Sequence, residues 1–156
     1  MNVLEWQATV TERAAHWLAH FVSTTPDDKL TWKPSADPSS KTRDILDMVS
    51  ESIGANRMMA AMVRGETPKG DLHAAAPAMT SEQAQDELRA SAKEFGDALR
   101  AADESILGVT YTTPFGPMPG YAIIAMPASN MDYHSGQVNY VQRLYGDIDF
   151  HMPPAQ

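Results

Sequence analysis

The chain has 156 residues, with 12 basic and 20 acidic side chains and a formal charge of −8. This is the length of one domain, spanning 1–156, and an acidic balance without a basic stripe argues against nucleic-acid binding. With no cysteine, disulfides, thiolate catalysis, iron–sulfur clusters and Cys-ligated zinc are excluded, and a reducing cytoplasm suits the chain. The N-terminus has no basic stretch leading into an apolar core, so no signal peptide is expected. The longest apolar run, 121–128, is too short for a bilayer and contains Pro127. A cytoplasmic protein with no nucleic-acid and no membrane partner is the expectation.

The prolines leave two long gaps, 39–67 and 78–113, which are the natural helix windows because proline removes an N–H and clashes with the preceding turn. Helix one is predicted from about Val3 to Ser23, with Val10, Ala14, Trp17, Leu18 and Phe21 as its apolar stripe. A long connection follows through Leu30, Trp32 and Pro34. Helix two is predicted from Ser40 or Thr42 to Arg64, capped by one of those hydroxyls, with Asp44 favouring the positive end of the dipole. Ile45, Val49, Ser52, Asn56, Met59 and Val63 share a face, and Gly65 marks the end. The Gly- and Pro-bearing stretch 65–78, Ala-rich at 74–78, is expected to be a mobile loop. Thr80-Ser81-Glu82-Gln83 is a capping-box pattern opening helix three, whose Leu88, Ala92, Phe95 and Leu99 recur at helical spacing to about Ala102. Residues 109–120 suggest a short hairpin. Helix four is predicted from Gly120 to Tyr145, with a kink or an interrupted first turn at Pro127. Four such helices with long connections predict an all-α four-helix bundle that permits crossover topology.

His134 lies in the apolar stripe of helix four. It is either a core imidazole with satisfied nitrogens or a ligand or base facing a pocket. Asn130 and Gln137 share its face and make an inward polar strip. Of the nearby carboxylates, Asp44 could turn toward the ring, whereas Asp132 sits about 160° away around the helix. His16 and His20 have the i, i+4 spacing that two imidazoles need to share a metal. They lie about 140° and 100° from the stripe centre, however, so a solvent-side position is expected. Met48, Met58, Met59 and Met62 cluster on helix two, as adaptable core filler or as a pocket wall. The acidic pairs, Asp147 and Asp149 among them, are expected to be solvated. No dinucleotide, P-loop, zincin or serine-hydrolase motif occurs.

The block Tyr133-His134-Ser135-Gly136-Gln137-Val138-Asn139-Tyr140, followed by 142–147, resembles the last helix of the DinB-like superfamily of metalloenzymes. Trp32-Lys33-Pro34 is similar to that family's turn before helix two. Residues 43–49 look like the opening of its second helix, and Thr113-Pro114-Phe115-Gly116 like the lead-in to the last. The resemblance implies an up-down-down-up four-helix bundle, often a homodimer. It also implies thiol-dependent transferase or isomerase chemistry on a divalent metal held by three histidines. Those ligand positions fall here on Met48, Asn130 and His134, and only one is a histidine. A neutral thioether and an amide oxygen are poor partners for divalent zinc or nickel. The expectation is therefore a degenerate metal site with no metal, no cofactor and no catalytic residue. Met48, Asn130, His134 and Gln137 would line a pocket for a small molecule in a non-catalytic or stress-associated protein. A metal-dependent thiol transferase or isomerase with an altered ligand set, and a purely structural dimeric bundle, are the alternatives.

Overall fold

Three of the four helices begin on a side chain that satisfies a free N–H of the first turn. The computed structural model describes residues 2–70, 76–113 and 115–153. In it α1 runs Val3–Ser23, with Asn2 accepting from the Glu5 N–H at 2.8 Å. The second helix, α2, runs Ile45–Val63 on an Asp44 cap that accepts from the Asp47 N–H. Next, α3 runs Ser81–Ala101 behind a complete Thr80/Gln83 capping box. The hairpin strands β1 (Thr110–Thr113) and β2 (Gly116–Pro119) pair antiparallel and lead into α4, Gly120–Leu144.

Two sequence expectations are corrected. Neither Ser40 nor Thr42 caps α2. Pro38–Ser40 forms a separate 3-10 turn capped by Asp37, and Lys41 at φ +52° takes the chain out of helical geometry until Asp44. Of the two expectations at Pro127, the interrupted first turn does not occur: α4 is helical from Gly120 to Leu144 with Pro127 inside it. The hairpin and the capping box agree with the sequence reading. The mobile-loop expectation for 65–78 and the turn motif at Pro114 fall partly or wholly outside the described residues.

Inter-helix contacts fix the topology. Arg100 near the end of α3 bonds Glu5 and Glu12 of α1, while Ser81 at its start bonds the Val22 carbonyl, so α1 and α3 are antiparallel. Arg57–Glu87 and Arg64–Glu94 run α2 parallel to α3. Gln142 bonds the Phe21 carbonyl, placing the C-terminal ends of α4 and α1 together. The Ser52–Asn130 and Glu51–His134 contacts set α2 antiparallel to α4. This is an up-down-down-up four-helix bundle.

The core has two layers. One contains Leu18, Val22, Ile45, Val49, Leu88 and Met131. The other contains Leu4, Met59, Phe95, Leu99 and Ile123. Buried Asn56 lies between helices, donating to Ser91 Oγ and to the Met131 sulfur. The four α2 methionines are buried, consistent with flexible filling of an irregular core. On α1 the buried face centres on Ala8, Ala15, Leu18 and Val22 rather than near Trp17, which is half exposed. The alanines let α3 and α4 approach closely, and the larger indole is left at the edge. Trp32 of the long connection packs edge-on against Tyr145, with ring centroids 5.8 Å apart. The Leu46 N–H donates to the Leu30 carbonyl at 3.0 Å, which ties that connection to the start of α2.

Candidate binding groove between the second and fourth helices

His134 is 2% exposed, and α4 aims its ring at α2. Its Nε2 meets Glu51 Oε1 at 3.2 Å and its Nδ1 meets Gln137 Oε1 at 2.6 Å. The same Glu51 oxygen accepts from Asn130 Nδ2 at 3.0 Å, and Asn130 Oδ1 accepts from Ser52 Oγ at 2.7 Å. The other Glu51 oxygen accepts from the Arg43 guanidinium. That guanidinium also donates to the Asp47 carbonyl at 2.8 Å. A lattice of six side chains thus joins the start of α2 to the middle of α4.

Glu51 is the group the sequence reading missed. Its contact with His134 joins residues 83 apart in the chain. The available signal was the Asp47–Glu51 spacing of four, which aligns two carboxylates along the α2 edge beside Met48, with the cation Arg43 just before the helix. The ring nitrogens of His134 therefore meet Glu51 and Gln137, and Asn130 reaches the ring only through the shared Glu51 oxygen. The carboxylate facing the imidazole is Glu51 rather than Asp44, which is occupied as the α2 cap. Burial pushes Glu51 upward. Hydrogen bonds from Arg43, His134 and Asn130, with the Arg43 charge, outweigh burial and hold it below the ordinary carboxylate value. As oriented, Gln137 and Glu51 both present acceptors to a ring whose neutral form has a single N–H. The contacts are satisfied either by an imidazolium or by a Gln137 amide turned to present its NH₂.

Beside this lattice a groove of about 690 Å³ opens between α2 and α4. Met48, Val141, Leu144 and Pro34 give it apolar lining, with the rings of Tyr133 and Tyr140 and the cations Lys41 and Arg43. Met48, His134 and Gln137 are among its lining residues and Asn130 is not; the Asn130 amide is held in the lattice by Ser52 and Glu51.

The other histidines lie elsewhere. His16 and His20 are both half-buried on α1. Burial, with the neighbouring His16 and His151, pushes His20 below its ordinary value against a hydrogen bond to the His151 backbone. Asp147 is not simply solvated. It bonds His151 at 2.7 Å, which lowers its pKa, and the ligand atoms of Asp147, Asp149 and His151 lie within 4.8 Å of one another.

A family model described as the DinB superfamily matches residues 10–138. No curated protein matches the sequence. Among solved structures, the chain is similar to a conserved protein from Enterococcus faecalis at TM-score 0.70 and 14% identity, over 92% of this chain and 97% of that one. It is also similar to the mycothiol-dependent maleylpyruvate isomerase at TM-score 0.62 and 13% identity, and to a histidine-to-alanine variant of it at TM-score 0.65 and 10% identity. In both cases the match covers 88% of this chain and 61% of the isomerase chain. These identities speak to the fold alone, and the two isomerase chains are longer than the matched region. No described helix is long and apolar enough to cross a membrane. The family match, covering most of the sequence, establishes that the chain belongs to the DinB superfamily.

Proposed function

We propose that this chain is a non-catalytic DinB-superfamily bundle that binds a small molecule in the α2–α4 groove without a metal ion. The observation that carries this reading is the engagement of Glu51 by Arg43, His134 and Asn130. The three-histidine metal implied by the family does not fit these residues. His134 supplies one imidazole, and its Nε2 is directed at Glu51. Met48 offers a neutral thioether, and the Asn130 amide is held by Ser52 and Glu51. The Arg43 guanidinium already sets a positive charge against Glu51 and would repel a cation there. With the Gln137 amide turned to donate to the ring, the lattice satisfies its polar groups internally, which favours a rigid groove wall over an open coordination site. A groove of about 690 Å³ falls within the range of small-molecule sites. We further propose a cytoplasmic homodimer, supported by the family resemblance and by Trp6, 54% exposed on α1.

Metal analysis of protein purified without added metal tests the reading. The expected content is far below one ion per chain. Stoichiometric zinc or nickel would overturn it and favour a metal-dependent enzyme with an altered ligand set. Restoration is the sharper probe. Met48→His with Asn130→His rebuilds three imidazoles, and calorimetry should then show zinc binding that the parent lacks.

A further inference from the structure

The cations lining the groove oppose the net charge of the molecule. The chain carries −8, yet besides the His134 ring the charged groups lining this groove are Lys41, Arg43 and Glu51, two cations against one carboxylate. Glu51 is matched by Arg43. The acidic residues at the start of α2 are answered separately, Lys33 lying 3.6 Å from Asp44 and 3.9 Å from Asp47. Lys41 makes no ion pair among the described residues, and its backbone at φ +52° holds it where the chain turns into α2. The rest of the lining is mostly apolar or aromatic, with Met48, Val141, Leu144 and Tyr140 forming the walls.

From this juxtaposition, and resting on the small-molecule reading above, we propose that the groove takes a monoanionic organic acid with an apolar body. Its carboxylate would lie beside Lys41 and its hydrocarbon or ring against Met48, Val141 and Leu144. Lys41, the lining cation without a carboxylate partner among the described residues, matches the single charge of a monoanion. A dianionic phosphate would leave excess negative charge beside Glu51. An amine would set a like charge against Lys41 and Arg43, and a neutral alcohol would gain only the apolar contact.

Calorimetric titration of the full chain at neutral pH with octanoate, octan-1-ol and octylammonium tests this. Octanoate should bind more tightly than octanol, and octylammonium most weakly. Lys41→Gln, an exposed substitution, should weaken octanoate about fivefold, the scale of one partly exposed ion pair. It should leave octanol unchanged, and high salt should erase the octanoate advantage. If octanol and octylammonium bind as well as octanoate, or if Lys41→Gln weakens all three alike, the anion proposal is overturned while the groove reading stands. If none of the three binds, both fall.

Discussion

Glu51 shows how one side chain can set the character of a site. Its pKa lies below the ordinary value of 4.5. It therefore contributes stability that is fully present above the unfolded pKa and is lost as pH falls through the lower, folded value. Glu51→Gln removes that titration and leaves the Arg43 guanidinium without its carboxylate. At neutral pH the variant should be less stable by about 1–3 kcal/mol, the scale of an unsatisfied, partly buried polar group. The gap should close as the parent is taken below about pH 4. Urea denaturation at several pH values measures both effects, and parallel curves for the two proteins would mean that Glu51 is not held ionised by the lattice. The His134–Gln137 half of the lattice is legible in sequence, because a spacing of three on one helix fixes a shared face. The Glu51 half is not. It depends on the register of two antiparallel helices, and nothing local in residues 43–51 encodes which α4 residue lies opposite. Gln142 went unread for the same reason. Its amide donates to the Phe21 carbonyl and to the hydroxyls of Thr24 and Thr25, contacts that exist only once α1 and α4 lie side by side.

At the level of elements, the helices were legible because caps and periodicity are local. The Thr80/Gln83 box and the proline-free windows mark them directly, and α1 falls on the expected residues. Helix two was predicted to start too early because several capping side chains occur in a row, and the turn at Lys41 that decides among them is a backbone property. The entry to α4 has no side-chain cap and depends on packing instead. The Gly120 N–H donates to the Val109 carbonyl at 2.7 Å. A Cβ at Gly120 would come within 1.8 Å of the Ile106 carbonyl oxygen, so no side chain fits without moving the 3-10 turn Glu104–Gly108. Gly120→Ala should therefore destabilise the fold by about 1–3 kcal/mol, as overpacking against rigid backbone does. Gly136→Ala, where no atom lies within 4 Å of the added carbon, serves as the control. Ala is the better helix former, so this change should be neutral or mildly stabilising. Thermal melts of the two variants separate these outcomes, and equal melting temperatures would show that the α4 entry relaxes freely.

For the molecule as a whole, the proposed homodimer sets apolar attraction against like charge. Trp6 and Trp17 lie on the outer side of α1, while Tyr133 and Tyr140 stand out from α4, all at least 37% exposed. Aromatic side chains so placed bury large areas at little conformational cost when a second surface covers them. A stable interface needs about 1,000 Å² in total, a small share of the 8383 Å² that one chain exposes. Opposing this, each copy brings a charge of −8, and the mutual repulsion acts over about 10 Å at 0.1 M salt and less at higher ionic strength. Screening should therefore strengthen association through an apolar face, whereas an interface built on ion pairs would weaken. Light scattering over a wide concentration range at low and high salt reads this directly. The expected result is a particle of twice 17.1 kDa that forms at lower protein concentration in high salt. A monomer under every condition would overturn the dimer. Dissociation by salt would place its energy in charged contacts and exclude the aromatic face as its centre. Trp6→Ser, which changes an exposed side chain, should shift the monomer–dimer balance toward monomer without lowering the melting temperature of the dilute protein.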